Sequence, residues 1–199
     1  GDSLTSVTGV GALGTLAGII SPSLAVAAPS RADAHATAAS HFKPTFHPRN
    51  APPSITVTNT NDSGAGSLRA ALDASRGGDV IGFASSVTGT IHLASTLQIY
   101  SPVYIEGPGA SALDIDGGQH GTDFYIGTYG RSTITGLTIS GGKASGGYYH
   151  NGGGIDLQNG GLTLYKDVVT GNSATYYGGG IAASRRATGV DIYNSTISN

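Results

Sequence analysis

Short pulses of apolar residues, separated by turn-forming residues, recur along this chain from Val80 onward. Within each pulse, apolar and polar positions tend to alternate, and a period of two predicts half-buried β-strands. The early pulses are Val80 to Phe83, Ile91 to Leu93, Leu97 to Ile99, Val103 to Ile105, Leu113 to Ile115 and Phe124 to Ile126. The pattern predicts an all-β domain built from many short strands.

Blocks of sequence repeat near the end of the chain. The block that starts at Ile134 aligns with the one at Leu164 at a shift of 30 residues, and again with the one at Ile192 after a further 28. Gly152–Ile155 matches Gly178–Ile181 at a shift of 26. One such unit cannot bury its own apolar face, so stacked coils about 4.8 Å apart are expected to share a core.

The repeats predict a right-handed, single-stranded parallel β-helix (a solenoid) with three short strands in each coil. We expect about five or six coils between Ile55 and Asn199, given the repeat length. Alternation would direct Ile155 and Leu157 inward and Asp156 outward. The alternative is an antiparallel sandwich or barrel, which would favour two-residue hairpin turns.

A short amphipathic helix is predicted before the strands. Ser67 can cap a helix over residues 68–75, which places Leu68, Ala71 and Leu72 on one face. The open end of a solenoid exposes apolar side chains and unpaired backbone, so this helix is interpreted as an N-terminal cap. Arg69 is expected on the solvated face of this helix, and a role as a substrate ligand is the alternative.

The first 54 residues differ in character from the rest. Residues 7–28 are apolar and uncharged and end in Ala25-Val26-Ala27-Ala28, which is typical of an export signal in residues 1–28. A transmembrane helix and a disordered tail are the alternatives. Residues 29–54 predict a linker, whose His35, His41 and His47 are interpreted as solvated. The β-helix domain would then span 55–199, and we expect it to be truncated at its C-terminal end.

Composition excludes several functions. There is no cysteine, which rules out disulfides, zinc–thiolate sites and a cysteine nucleophile. The net charge is −2 and no run of Lys or Arg occurs, so nucleic acid is not an expected partner. Glycine supplies 33 of 199 residues, and it lies among strand-forming residues in a pattern that favours tight turns.

At this point the sequence resembles a known group of proteins. Residues 56–72, with Gly66-Ser67-Leu68-Arg69 at their centre, are similar to the so-called CSLREA opening of exported bacterial β-helix proteins in the pectin-lyase-like superfamily. The Gly-Gly-Gly-Ile blocks are similar to the Gly-Gly-Ala-Ile repeats of polymorphic outer membrane proteins. The resemblance covers Ile55 to Asn199 and implies a β-helix that is secreted or displayed on a bacterial surface. Its relatives include adhesins, lyases and hydrolases.

Carboxylates are the first candidates for chemistry. Glycoside hydrolysis needs a pair of carboxyl groups at a set separation. Asp114 and Asp116 are two residues apart and therefore share one face of a strand, and Asp123 follows closely. The alternative is turn chemistry around Asp116-Gly117-Gly118.

Basic residues are the candidates for a lyase reaction, which removes a proton next to a uronate carboxylate. Lys166 and Arg185 are the residues considered, with solvated turn charges as the alternative. Lys166 is expected on the opposite face of a strand from Asp167. No cofactor or metal is predicted, although calcium is kept open as the cation that such a lyase would need.

Tyrosines supply the preferred ligand-binding surface. Tyr148-Tyr149 and Tyr176-Tyr177 occupy equivalent positions before the glycine runs, with His150 beside the first pair. On successive coils they could form an aromatic strip suited to sugar rings. The alternative is stacking that only stiffens the coil.

These observations favour a secreted or cell-surface β-helix with an adhesive, structural or glycan-binding role and without catalysis. The expected partner is a polysaccharide or a cell-surface glycan, including a host's. No transmembrane helix is expected in the mature domain. The alternative is a polysaccharide lyase or glycoside hydrolase that acts on polyuronides.

Overall fold

The computed structural model describes residues 52–145 and 151–198. One helix, α1, spans Leu68–Ala74. The strands in chain order are β1 Ile55–Val57, β2 Val80–Phe83, β3 Gly89–His92, β4 Leu97–Ile99, β5 Tyr104–Glu106, β6 Leu113–Asp116, β7 Phe124–Ile126, β8 Arg131–Thr135, β9 Thr138–Ser140, β10 Lys143–Ala144, β11 Ile155–Leu157, β12 Gly160–Tyr165, β13 Val168–Thr170, β14 Ser173–Ala174, β15 Ile181–Ala183, β16 Ala187–Tyr193 and β17 Thr196–Ile197.

The strands form three main parallel sheets that the chain visits in turn. Sheet A has the order β1-β2-β5-β8-β12-β16, sheet B has β3-β6-β9-β13-β17, and sheet C has β4-β7-β11-β15. A short pair, β10-β14, lies at the corner between sheets B and C. The chain therefore winds through about five turns of a parallel β-solenoid. This confirms the predicted β-helix, and the antiparallel alternative is wrong.

The repeat blocks align in space as their sequence shifts predict. Ile134 pairs with Leu164, and Leu164 pairs with Ile192 in the next coil. Ile155 likewise pairs with Ile181. The sequence shifts between coils differ, yet the paired strands stay in register.

Inward side chains from the three sheets stack into one apolar column. Each of the following is buried: Ile81, Ile105, Ile134 and Leu164 from sheet A, Ile91, Ile115, Ile139 and Val169 from sheet B, and Leu97, Phe124, Ile155 and Leu157 from sheet C. Since no disulfide is possible, burial and backbone pairing hold the coils together.

Asp156 follows the predicted alternation but is buried. Its register position lies between Tyr125 and Ala182 on sheet C, in the outward row between the inward Ile155 and Leu157. Only 1% of its surface is exposed, and its carboxylate accepts a 2.8 Å hydrogen bond from the Gln158 side chain. Alternation sets the direction of Cβ but does not determine what covers the side chain.

A left-handed backbone residue makes the corner between sheets A and B in three successive coils. These residues are Gly136, Lys166 and Asn194, with φ of 66°, 59° and 51°. Lys166 therefore lies in a corner and not on a strand, which corrects the predicted strand position of the Lys166-Asp167 pair. The corner still separates the two side chains, because Lys166 is exposed and Asp167 is buried.

The buried side chain of Asp167 ties two coils together at this corner. Its two carboxyl oxygens accept 2.9 Å hydrogen bonds from the backbone N–H groups of Leu137, one coil below, and of Tyr165. Its own N–H donates to the hydroxyl of Ser195 in the next coil, at 3.0 Å. A short polar ladder therefore satisfies backbone groups that the turn would otherwise leave unpaired.

We expect Asp167→Ala to lower the free energy of unfolding by roughly 2–4 kcal/mol, because two buried N–H groups lose their acceptor. Urea denaturation followed by circular dichroism measures the change. Asp73→Ala, which removes an exposed carboxylate, is the matched control and should have little effect. Equal stability of the two variants would contradict the assigned role of Asp167.

The helix covers the N-terminal end of the solenoid. Ser67 caps α1 by accepting a 3.1 Å hydrogen bond from the N–H of Ala70. Leu68, Ala71 and Leu72 are buried, as their spacing predicts, and α1 packs against β4 and β1. The predicted cap is therefore present.

Within the described residues, no helix has the length and apolar character needed to cross a membrane.

Candidate functional site

The two carboxylates of β6 lie side by side on the outer face of sheet B. Asp114 and Asp116 are both partly exposed, between the buried Leu113 and Ile115. The carboxylate of Asp114 accepts from the hydroxyl of Ser140, at 2.9 and 3.0 Å. One β6 strand thus brings these two candidates together as the sequence predicts.

Asp116 has partners on two sides. One carboxyl oxygen lies 3.0 Å from Nδ1 of His92 on β3, and the other accepts a 2.9 Å hydrogen bond from the N–H of Gly118. The second contact closes a tight turn after β6. Turn formation, the alternative explanation for this residue, is therefore one of its roles.

Asp123 is the unusual member of the acidic group. It precedes β7 and is fully buried, and neither carboxyl oxygen has a hydrogen-bond partner. Burial, followed by the negative charges of Asp116 and Asp114, raises the pKa of Asp123 to about 9. The pKa of Asp114 is also raised, mainly by burial, although the Ser140 hydroxyl acts in the opposite direction. Asp123 is accordingly protonated at neutral pH.

Asp123 cannot belong to an accessible pair for hydrolysis, because a glycosidase needs both carboxyl groups beside the bond that it cleaves and the side chain of Asp123 is covered. Asp114 and Asp116 are the pair that stays partly exposed. The group also does not fit calcium, which takes six to eight oxygen ligands. In the described part of the chain, no three His, Asp or Glu side chains lie close enough to hold a metal ion.

The two basic candidates lie at different corners of the solenoid. Lys166 follows β12 at the corner between sheets A and B, with its Nζ 5.0 Å from the centre of the Tyr165 ring. Arg185 is exposed in the turn between β15 and β16, where sheet C leads to sheet A. The structure does not bring them to one site, nor to the carboxylates of β6.

The predicted aromatic strip falls only partly within the described residues. Tyr176 and Tyr177 follow β14 and are 62% and 53% exposed. Tyr148, Tyr149 and His150 lie outside the described residues. Stacking between the two tyrosine pairs therefore stays a prediction.

A groove lies on the outer side of sheet C. It consists of two adjoining cavities of about 430 and 260 Å³, which share Thr96 and Gln98. Together they fall within the roughly 300–1,000 Å³ typical of ligand sites. The sheet C groove is lined by Arg69, Asp73, Ser95, Thr96, Gln98, Tyr100, Thr122 and Tyr125.

Two tyrosines line one end of the sheet C groove. The rings of Tyr100 and Tyr125 meet edge to face, with centroids 6.1 Å apart and planes at 63°. They pack beside Gly127, where a Cβ atom would come within 2.8 Å of the Tyr125 ring. Tyr100 remains 65% exposed, so its ring is open to a ligand. Burial, Tyr100 and Asp156 together raise the pKa of Tyr125.

Hydrogen bonds from Arg69 fix the residues at the other end of the groove. Its guanidinium donates 2.6 Å hydrogen bonds to the Asp62 carboxylate and the Ser95 carbonyl, and a 2.9 Å bond to the Thr96 carbonyl. The expectation of a solvated Arg69 was wrong, because this side chain is only 20% exposed and clamps α1 to the loop before β4.

Sequence reasoning missed the sheet C groove, although a usable signal was present. Gln98 and Tyr125 are the central, outward-facing residues of two apolar pulses, and they are direct neighbours once β4 pairs with β7. Aligning Leu97 with Phe124 would have placed the two polar residues on one face.

Comparisons of this chain with protein-family models, curated proteins and solved structures found no match. The assignment of a function therefore depends on the solenoid and its surfaces.

Proposed function

We propose that this protein is a secreted or cell-surface β-helix that binds glycans in an adhesive or structural role. Membership of the pectin-lyase-like superfamily, with a CSLREA-type opening, is part of the proposal. The signal-like residues 1–28 and the resemblance of residues 56–72 to exported bacterial proteins support the location, either extracellular or at the outer membrane.

The sheet C groove is the observation that carries the binding role. It combines an exposed aromatic ring with amide and hydroxyl groups on a rigid parallel sheet. Sugar rings present C–H groups that pack on aromatic faces, and their hydroxyls pair with groups such as those of Gln98 and Thr96. A preformed groove of this kind loses little conformational entropy on binding.

The alternative, a polyuronide lyase or hydrolase, has less support in the described residues. Lys166 and Arg185 lie at separate corners, and Asp123 is covered while Asp114 and Asp116 are not. The partly exposed carboxylates of Asp114 and Asp116 are engaged by the Ser140 hydroxyl, the His92 ring and the Gly118 N–H.

We expect the full chain to bind polysaccharide without cleaving it. The test incubates the protein with pectins, polyuronides and insoluble neutral polysaccharides, with and without calcium. Bound protein is measured by co-sedimentation, unsaturated ends by absorbance, and new reducing ends by a colour assay. Binding to at least one polysaccharide with no product is the expected result.

Three outcomes would contradict this proposal. Calcium-dependent unsaturated product that is lost in Lys166→Ala or Arg185→Ala would make the protein a lyase. New reducing ends that are lost in Asp114→Asn or Asp116→Asn would make it a hydrolase. Absence of binding to every polysaccharide would remove the glycan-binding role.

A further inference from the structure

The charges that line the sheet C groove restrict which glycan it can take. Arg69 is the only cation among its described lining residues, and its guanidinium is already shared by the Asp62 carboxylate and two backbone carbonyls. It therefore offers little free positive charge to a ligand.

An acidic group lines the same groove. Asp73 lies in the cavity beside α1, whereas Asp156, the register neighbour of Tyr125 on the next strand, is buried. A uronic acid in this groove would bring its carboxylate toward Asp73 with no free cation among the described lining residues, which is unfavourable in a partly desolvated site. A neutral sugar meets no such repulsion.

The remaining lining groups suit a neutral sugar. Gln98 is exposed and offers both donors and an acceptor, and the exposed face of Tyr100 can cover one side of a pyranose ring. Thr96 and Ser95 also line the groove and carry hydroxyls. Such groups pair with uncharged hydroxyls and give no preference for carboxylates.

We propose that the sheet C groove binds neutral polysaccharides through Tyr100 and Gln98 and excludes polyuronides. This rests on the glycan-binding role proposed above and narrows it to one chemical class. It also means that binding needs no divalent cation.

Affinity electrophoresis of the full chain tests the specificity. The gels contain either a neutral polysaccharide (β-glucan, xylan, mannan or starch) or polygalacturonate, with calcium or with a chelator. We expect retardation by at least one neutral polymer, unchanged by the chelator, and none by polygalacturonate.

Substitutions test whether the polysaccharide binds in the sheet C groove. Tyr100→Ala should weaken binding about tenfold because a stacking contact is lost. Tyr129→Ala is the matched control, since Tyr129 is also an exposed tyrosine, at 84%, outside the groove lining. Gln98→Lys adds a free cation and should create binding to polygalacturonate.

The two proposals fail in different ways. Retardation of the wild type by polygalacturonate that Tyr100→Ala abolishes would overturn the neutral specificity and leave the glycan-binding role intact. Neutral binding that is unaffected by both Tyr100→Ala and Gln98→Lys would overturn the assignment to this groove. No retardation by any polymer would overturn both.

Discussion

Gly153→Ala is expected to lower the free energy of unfolding by about 3 kcal/mol or more, because overpacking a dense corner strains the backbone. A Cβ atom on Gly153 would overlap the carbonyl oxygens of Gly179 and Ser173, both in the next coil. Backbone cannot move aside as a flexible side chain can. The first Gly-Gly-Gly-Ile block, residues 152–155, therefore marks a corner where coils pack backbone against backbone.

Urea denaturation of Gly153→Ala beside Gly77→Ala measures this effect. Gly77 has a negative φ and an open environment, where the nearest atoms to an added Cβ belong to Pro102, at 3.6 Å. Its replacement should leave stability unchanged or raise it by a few tenths of a kcal/mol. Equal stability of the two variants would show that the glycines at residues 152–154 serve flexibility and not close approach.

Stability should fall as the pH rises, through the buried carboxyl group of Asp123. Its folded pKa of about 9 lies above the value of 3.8 for an unperturbed aspartate, so the folded state retains a proton that the unfolded state releases. The stabilisation of the folded state by this bound proton is fully present below pH 3.8 and is lost as the pH rises to about 9. The expected slope is about 1.4 kcal/mol per pH unit for one proton.

Asp167 adds to this dependence over a narrower range. Burial raises its pKa to about 7, although the N–H groups of Leu137 and Tyr165 act in the opposite direction. Its contribution is lost between pH 3.8 and about 7. The steepest loss of stability is therefore expected from mildly acidic pH to neutrality.

Thermal unfolding of wild type and Asp123→Asn between pH 4 and 9 separates the two groups. Asp123→Asn keeps the shape of the side chain but cannot ionise, so its melting temperature should vary less with pH, above all between pH 7 and 9. Asp73→Asn, at an exposed position, should follow the wild type. Parallel curves for wild type and Asp123→Asn would mean that Asp123 does not titrate in this range.

The strand register could be predicted because the sequence repeat shows which residues are equivalent in successive coils. Ile134, Leu164 and Ile192 occupy the same step of successive coils, and an apolar side chain at each step has only one favourable direction. Loop lengths vary between coils without changing the register of the paired strands. The cap could be predicted for the same reason, since Leu68, Ala71 and Leu72 form a helical face.

The surfaces were harder to predict than the core. Asp156 is outward-facing and still buried, and Arg69 is held by carbonyls of a loop more than 20 residues away in sequence. Both outcomes depend on which loop lies over which strand, and a local pattern does not contain that information. The pairing of Tyr100 with Tyr125 likewise becomes visible only when neighbouring coils are superposed.

Equivalence between coils also makes the protein modular. Ile134 and Leu164 occupy the same position in successive coils. Deleting the segment that begins at Ile134 and ends just before Leu164 would therefore remove one whole coil, and the remaining chain could be joined without a change of strand register. Duplicating the same segment would lengthen every face by one strand spacing. The solenoid can thus be lengthened or shortened by whole units, while the side chains of each remaining unit are kept.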